Sequence, residues 1–247
     1  MSLAVLQVKP PPGKPHPLDL TLNPILPRHA FVMLVISPPR SGKSSLVANI
    51  LVNPQFYNAL EYWDSVYFFS PSQKFDKTTN MYLPKLENVI SIDDHEELSR
   101  LDILLKGIMD EQVKISEEDD PITGKKKAMP RILLVFDDCL GYLTTNQALA
   151  NMITRHRHFS ASVIICAQSF RRIPLVIRNC AGNIIFHRLN NKSELQKIDD
   201  EYGSNYTDDF QKIATAVTSK KYDFIYMANE ELKMYHNFDK LIIDAAL

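Results

Sequence analysis

Short apolar runs, each closed by a polar turn and followed by residues at helical spacing, recur along this chain. The first run, Phe31–Ile36, precedes a helix over about 43–52. In it Leu46, Val47, Ile50 and Leu51 share one face, and Asn53-Pro54 stops it. A strand over Ser65–Phe69 ends at Ser70-Pro71-Ser72, and a short strand at about 88–92 leads into a helix from about Asp94 to Val113. Strand 131–136, a helix over about 145–155, strands 162–167 and 183–188, and helices near 193–201 and 207–218 follow. Tyr222–Met227 and Leu232–Phe238 read as a hairpin turning at Asn229-Glu230. Repeated strand–helix units predict an α/β fold with a mostly parallel central sheet flanked by helices and a C-terminal antiparallel hairpin.

Two segments break the pattern. Residues 1–28 carry seven prolines, Pro10, Pro11, Pro12, Pro15, Pro17, Pro24 and Pro27, which argue against a helix or a central strand. An extended N-terminal arm is expected there, lying over the domain or over a neighbouring subunit, with residues 29–247 as the folded domain. Ser116–Ala128 is polar, passes from acids to the lysines Lys125–Lys127, and reads as an exposed loop turning at Pro121–Gly124.

Composition narrows the class. With 45% apolar and 23% charged residues over 247 positions, the chain can bury a full core. A formal net charge of −1 argues against coating nucleic acid through a basic surface, while leaving room for local contacts. Cys139, Cys166 and Cys180 read as reduced thiols of an intracellular or intravirion protein, and no apolar run reaches the roughly 18 residues of a membrane span.

The chemistry starts at Ser37-Pro38-Pro39-Arg40-Ser41-Gly42-Lys43-Ser44-Ser45, between the first strand and the first helix. A strand, a tight loop ending in Gly-Lys-Ser, then a helix is how a P-loop holds nucleotide phosphates: backbone N–H groups face the anion, the lysine reaches the outer phosphates and the hydroxyl holds Mg²⁺. Ser37 stands where the motif has glycine. Arg131–Asp138 is an apolar strand running into two carboxylates. Asp137 is placed to hold Mg²⁺, and Asp138, one step on, to polarise an attacking water. Ala161–Ala167 is a second such strand, ending in Gln168-Ser169; if it lies between the other two, Gln168 points at a γ-phosphate. Arg155-His156-Arg157-His158 precedes that strand, and Arg171, Arg172 and Arg178 follow it. These are arginine-finger candidates, a solvated basic edge, or phosphate contacts to nucleic acid. On the far edge of its own subunit such a finger could act only in a ring.

A GTPase reading competes. Asp138-Cys-Leu-Gly141 spells D-x-x-G, and Asn191-Lys-Ser-Glu194 approaches the guanine-reading N-K-x-D. Glu194 is one methylene too long, however, and Ser193 suffices as the N-cap of the next helix.

Together these motifs resemble the FtsK–HerA superfamily of P-loop ATPases, and more narrowly the genome-packaging ATPases of poxviruses and other large nucleocytoplasmic DNA viruses, from about Phe31 to Met227. The resemblance implies a P-loop NTPase that hydrolyses ATP with Mg²⁺ and drives double-stranded DNA into a capsid as a homo-oligomeric ring, with capsid or portal-vertex proteins as partners. It implies residence at cytoplasmic assembly sites or in the virion. It assigns Lys43 and Ser44 to phosphate and Mg²⁺, Asp137 to the metal, Asp138 to the water, Gln168 to the γ-phosphate, and Arg157, or else Arg155, to a trans-acting finger. Ser37 departs from the family glycine, and Asp138 from the glutamate of many relatives. Pore-loop candidates are 116–128 and the segment after Gln168. The rivals are a helicase-type ATPase, a nucleoside kinase and a non-catalytic nucleotide-binding scaffold.

Overall fold

The computed structural model describes residues 16–246. Among them nine strands form one sheet: β1 (Val32–Ile36), β2 (Ser65–Phe69), β3 (Val89–Ile92), β4 (Ile132–Asp137), β5 (Ala161–Ala167), β6 (Asn183–His187), β7 (Phe224–Ala228), β8 (Lys233–His236) and β9 (Lys240–Asp244). Their order is β3-β2-β4-β5-β1-β6-β7-β8-β9, parallel from β3 to β6 and antiparallel beyond. The predicted α/β class is therefore the observed one. Every residue of β1, β4, β5 and β6 is buried, which is why these strands read as continuous apolar runs.

Alternation along those strands feeds two cores. Leu34, Ile36, Leu134 and Phe136 face one, with Leu105 and Met152 from helices Leu101–Glu117 and Gln147–Thr154. Met33, Val35, Leu133 and Val135 face the other, with Leu46, Val47 and Ile50 from helix Lys43–Val52 and the aromatic group Tyr57, Tyr62 and Trp63. No helix among the described residues is long and apolar enough to cross a membrane.

Several expectations need correction. The proline-rich arm contains a short helix, Pro17–Thr21, because Pro17 sits in its first turn, where a missing N–H costs nothing. The helix expected from Asp94 to Val113 is two, His95–Ser99 and Leu101–Glu117, parted at Arg100, and the second runs into the segment read as loop. The expected hairpin is a three-stranded meander, since Leu241-Ile-Ile243 lies in a further strand against β8. The cap of helix Lys192–Glu201 is Asn191, whose side chain accepts the Ser193 N–H at 2.9 Å; Ser193 itself lies inside the helix. Short helices at Ala59–Tyr62, Lys77–Tyr82, Leu140–Leu143 and Leu175–Asn179 are too brief to give a period.

Of the expected arm, residues 1–15 lie outside the described residues, and 16–28 lie on their own domain. Asp19 pairs with the buried Arg131 at 2.8 Å and accepts the Tyr62 hydroxyl at 2.6 Å, while Tyr57 donates to the Pro27 carbonyl at 2.5 Å. Arg131 also stacks over the Tyr62 ring at 4.1 Å. Beside this joint His29 bonds the hydroxyls of Ser162 (2.8 Å) and Ser160 (3.0 Å). Burial, then the nearby Arg131 charge, pulls the His29 imidazole down to about 3. It is therefore neutral when folded and basic when unfolded. Its contribution to stability is full above the unfolded value near 6.5 and is lost as pH falls from there toward 3. In His29→Gln, urea unfolding should show a shallower loss of stability between pH 6.5 and 4.5, by at most about 1.4 kcal/mol per pH unit. An unchanged slope would mean that His29 is already charged in the fold.

Candidate functional site

The parallel strands deliver their C-terminal ends to one edge of the sheet, and β5 lies between β1 and β4. Ser37–Ser45 leaves β1 there, Asp137 and Asp138 leave β4, and Gln168 leaves β5; the conditional placement of Gln168 between the two motif strands is thus met. Lys43 opens helix Lys43–Val52, and its ammonium lies 2.8 Å from Asp137 Oδ1 and 2.6 Å from Asp138 Oδ1. The Gln168 amide donates to the same Asp138 oxygen at 3.4 Å. Burial raises the Asp137 carboxyl above its ordinary value despite Lys43, with Asp138 and Asp76 adding repulsion. Burial alone would lower Lys43, but Asp137 outweighs it and the ammonium titrates above its usual value. One cation thus serves two carboxylates.

The loop accommodates its missing glycine in an unexpected way. Positive φ falls on Arg40 (64°) and Gly42 (99°), not on Ser37. Ser37 is buried; its N–H donates to the Ala167 carbonyl at 2.9 Å, and its hydroxyl bonds His187 Nδ1 at 2.7 Å, at the end of β6. The serine therefore fastens the loop to both neighbouring strands. Burial brings His187 down to about 4, so a neutral imidazole makes this bond. Pro38, Pro39, Arg40, Gly42, Lys43, Ser44 and Ser45 line a cleft of about 560 Å³ with Asp138 and Gln168. Ser41 instead turns back, its hydroxyl donating to the Pro38 carbonyl at 2.7 Å.

Three groups at this site carry no motif. Asp76 caps helix Lys77–Tyr82. Burial pushes its carboxyl up, but the nearby Ser44 hydroxyl and hydrogen bonds from Thr79 and the Thr78 N–H prevail and hold it below the ordinary value. Lys221 and Tyr222, ahead of β7, line the opposite end of the cleft. The N-cap signature Asp76-Lys-Thr-Thr79 was available in the sequence; for Lys221 and Tyr222 no signal existed.

Other candidates lie elsewhere. Arg155 and Arg157 are exposed at the N-terminal end of β5, a strand of about 20 Å, and so remote from Lys43 of the same chain. Arg157 pairs with Glu230 at 2.9 Å, and Arg155 lies over the Phe159 ring. Arg178 is structural: it is buried against Phe170 and paired with Glu201. The guanine-reading alternative fails on Glu194, whose carboxylate accepts from the Ser169 hydroxyl (2.8 Å) and the Phe170 N–H (2.7 Å), bracing the turn after Gln168. In loop 116–128, Lys126 and Lys127 pair with Asp119 and Glu118 at 3.0 and 2.7 Å.

The model of one family, the poxvirus A32 protein, matches residues 23–201. The chain belongs to that family. Among curated proteins none matches. Solved structures similar to this A32-family chain include the genome packaging NTPase B204 of Sulfolobus turreted icosahedral virus 2 in complex with ATPγS, at 15% identity and TM-score 0.56 over 84% of this chain and 96% of that one. The DNA-packaging ATPase B204 of Sulfolobus turreted icosahedral virus matches at 17% identity and TM-score 0.58, over 83% and 96%. The pCW3 conjugation coupling protein TcpA with ATPγS matches at 12% identity and TM-score 0.56, over 88% of this chain and 60% of that one. At these identities the likeness is one of fold.

Restoring the motif glycine is the direct test of the loop. Ser37→Gly should lower stability by about 2 kcal/mol in urea unfolding, because His187 Nδ1 loses its buried partner, and should not raise nucleotide affinity. Tighter nucleotide binding in that variant would mean that the serine strains the loop.

Proposed function

We propose that this A32-family chain is an ATP-hydrolysing motor that drives double-stranded viral DNA into a capsid as a homo-oligomeric ring, at cytoplasmic assembly sites or in the virion. The observation that carries the hydrolytic reading is the insertion of β5 between β1 and β4, which brings the Gln168 amide to the Asp138 carboxylate beside Lys43. A kinase needs an acceptor there; a carboxylate and an amide converging on one small volume suit a water molecule.

The donor set fits Mg²⁺. Asp137 Oδ1 is buried and takes no aligned hydrogen bond, and hydroxyl and carboxylate oxygens are the ligands a hard cation prefers. Ser44 and Asp137 would hold the ion, which when bound neutralises charge on the β- and γ-phosphates. Lys43 must then turn from the carboxylates to the outer phosphates. That frees Asp138 to accept a proton from water oriented by Gln168. The water oxygen bonds the γ-phosphorus, the bond to the β–γ bridging oxygen breaks, and ADP leaves with that electron pair.

Arg157 stands apart from its own cleft, and this supports a finger acting on a neighbouring subunit's ATP. The duplex would meet a few loops, 116–128 and the turn after Gln168, and capsid or portal-vertex proteins would anchor the ring. Near-zero net charge agrees with contact through loops rather than a coating face.

Lys43→Ala should abolish nucleotide binding; retained ATPase activity would sink the phosphate-cradle reading. Asp138→Asn should keep ATP bound while turnover falls roughly 10²–10⁴-fold, measured as duplex-DNA-stimulated phosphate release. Normal turnover there would move the water-activating role to another residue. Arg157→Ala subunits mixed with Asp138→Asn subunits should recover activity only at interfaces pairing an intact cleft with an intact finger. No recovery above the activity of the two variants taken separately would rule out action in trans.

A further inference from the structure

The cleft has two ends, and only one is explained by phosphate chemistry. Asp138 and Gln168 mark the end beneath β4 and β5; Lys221 and Tyr222 mark the other, ahead of β7. Because β7 runs antiparallel to β6, with His187 opposite Phe224, the start of β7 lies at the same sheet edge as the ends of the parallel strands. From β5 across β1 and β6 to β7 is about 14 Å at ordinary strand spacing, the scale of a nucleoside triphosphate laid along the strand ends.

Tyr222 is unusual in two ways. Its φ is +74°, a left-handed conformation that an aromatic residue rarely adopts, and the residue is 57% exposed. The surroundings hold it there: Asp223 pairs with His236 at 3.3 Å, and the Phe224 N–H donates to Asn237 at 3.1 Å. The ring lies against Gly42 so closely that a Cβ at that glycine would meet Tyr222 Cδ1 at 3.0 Å. The phosphate loop and the aromatic ring are therefore one surface. Lys221 lies over the same ring at 4.7 Å and adds positive charge at that end. A strained, exposed aromatic at the mouth of an anion cradle has the form of a stacking platform.

We infer that Tyr222, with Lys221, binds the base of the nucleotide, so that the nucleoside triphosphate lies with its base against β7 and its γ-phosphate at Asp138 and Gln168. This inference rests on the nucleotide reading of the cleft and assigns its polarity. Recognition by stacking takes a purine base by its π-face rather than by a hydrogen-bond pattern.

The test compares ATP with inorganic tripolyphosphate, both with Mg²⁺, by calorimetric titration of the full chain. Tyr222→Gly removes the ring and at the same time relieves the left-handed backbone, so folding is not put at risk. It should weaken ATP binding about tenfold or more while tripolyphosphate affinity stays within twofold. Tyr222→Trp should keep ATP affinity, and its indole fluorescence should change with ATP but not with tripolyphosphate. Parallel weakening of both ligands by Tyr222→Gly, or no change in either, overturns the assignment. Lys43→Ala separates the two levels: it should lose both ligands, and retention of both would fault the phosphate cradle itself rather than the place of the base.

Discussion

A single ammonium shared by two carboxylates is the constraint on which the site depends. Asp137 and Asp138 emerge from a wholly buried strand, where an unpaired carboxylate would lose several kcal/mol of hydration. Lys43 compensates both from the first position of its helix, at 2.8 and 2.6 Å. Gly42, with φ 99°, caps that helix immediately before Lys43. Phosphate oxygens must compete with Asp138 for Lys43, and they succeed by offering the ammonium more negative charge than the carboxylates do. On the proposed mechanism, nucleotide binding and the release of Asp138 are one exchange.

The first strand-loop-helix unit was legible in the sequence because everything needed to form it is local. Helix Lys43–Val52 and strand Ser65–Phe69 begin and end where Gly42, Asn53-Pro54 and Ser70-Pro71 say they should. The strand neighbours were not legible in the same way. The place of β5 between β1 and β4 depends on which apolar faces pack against which helices, and periodicity along one strand carries no record of that. The Ser37–His187 bond joins residues 150 positions apart, so Ser37 read only as a missing glycine. Backbone strain explains the rest of that misreading. The left-handed positions lie at Arg40 and Gly42, and the motif position at 37 is occupied by a residue whose side chain has a partner. Prolines misled in the opposite direction: Pro17 argued against a helix by composition, yet it stands in the one turn where proline costs nothing.

The two ends of β5 carry different chemistry, and the strand between them is buried at all seven positions. Gln168 leaves its C-terminal end toward the cleft of its own chain, and Arg157 stands just before its N-terminal end, exposed and paired with Glu230 across the start of the sheet. A close-packed strand of this kind moves as a unit or not at all, because its side chains have no free volume on either face. On the ring reading, a shift of Gln168 when a γ-phosphate leaves would reach Arg157 without any hinge, and hence the neighbouring cleft. Glu194 adds to the stiffness at the Gln168 end by tying the Ser169 hydroxyl and the Phe170 N–H to helix Lys192–Glu201. Coupling between neighbouring sites then needs no separate lever: the strand that separates Lys43 from Asp137 in the sheet order is itself the connection.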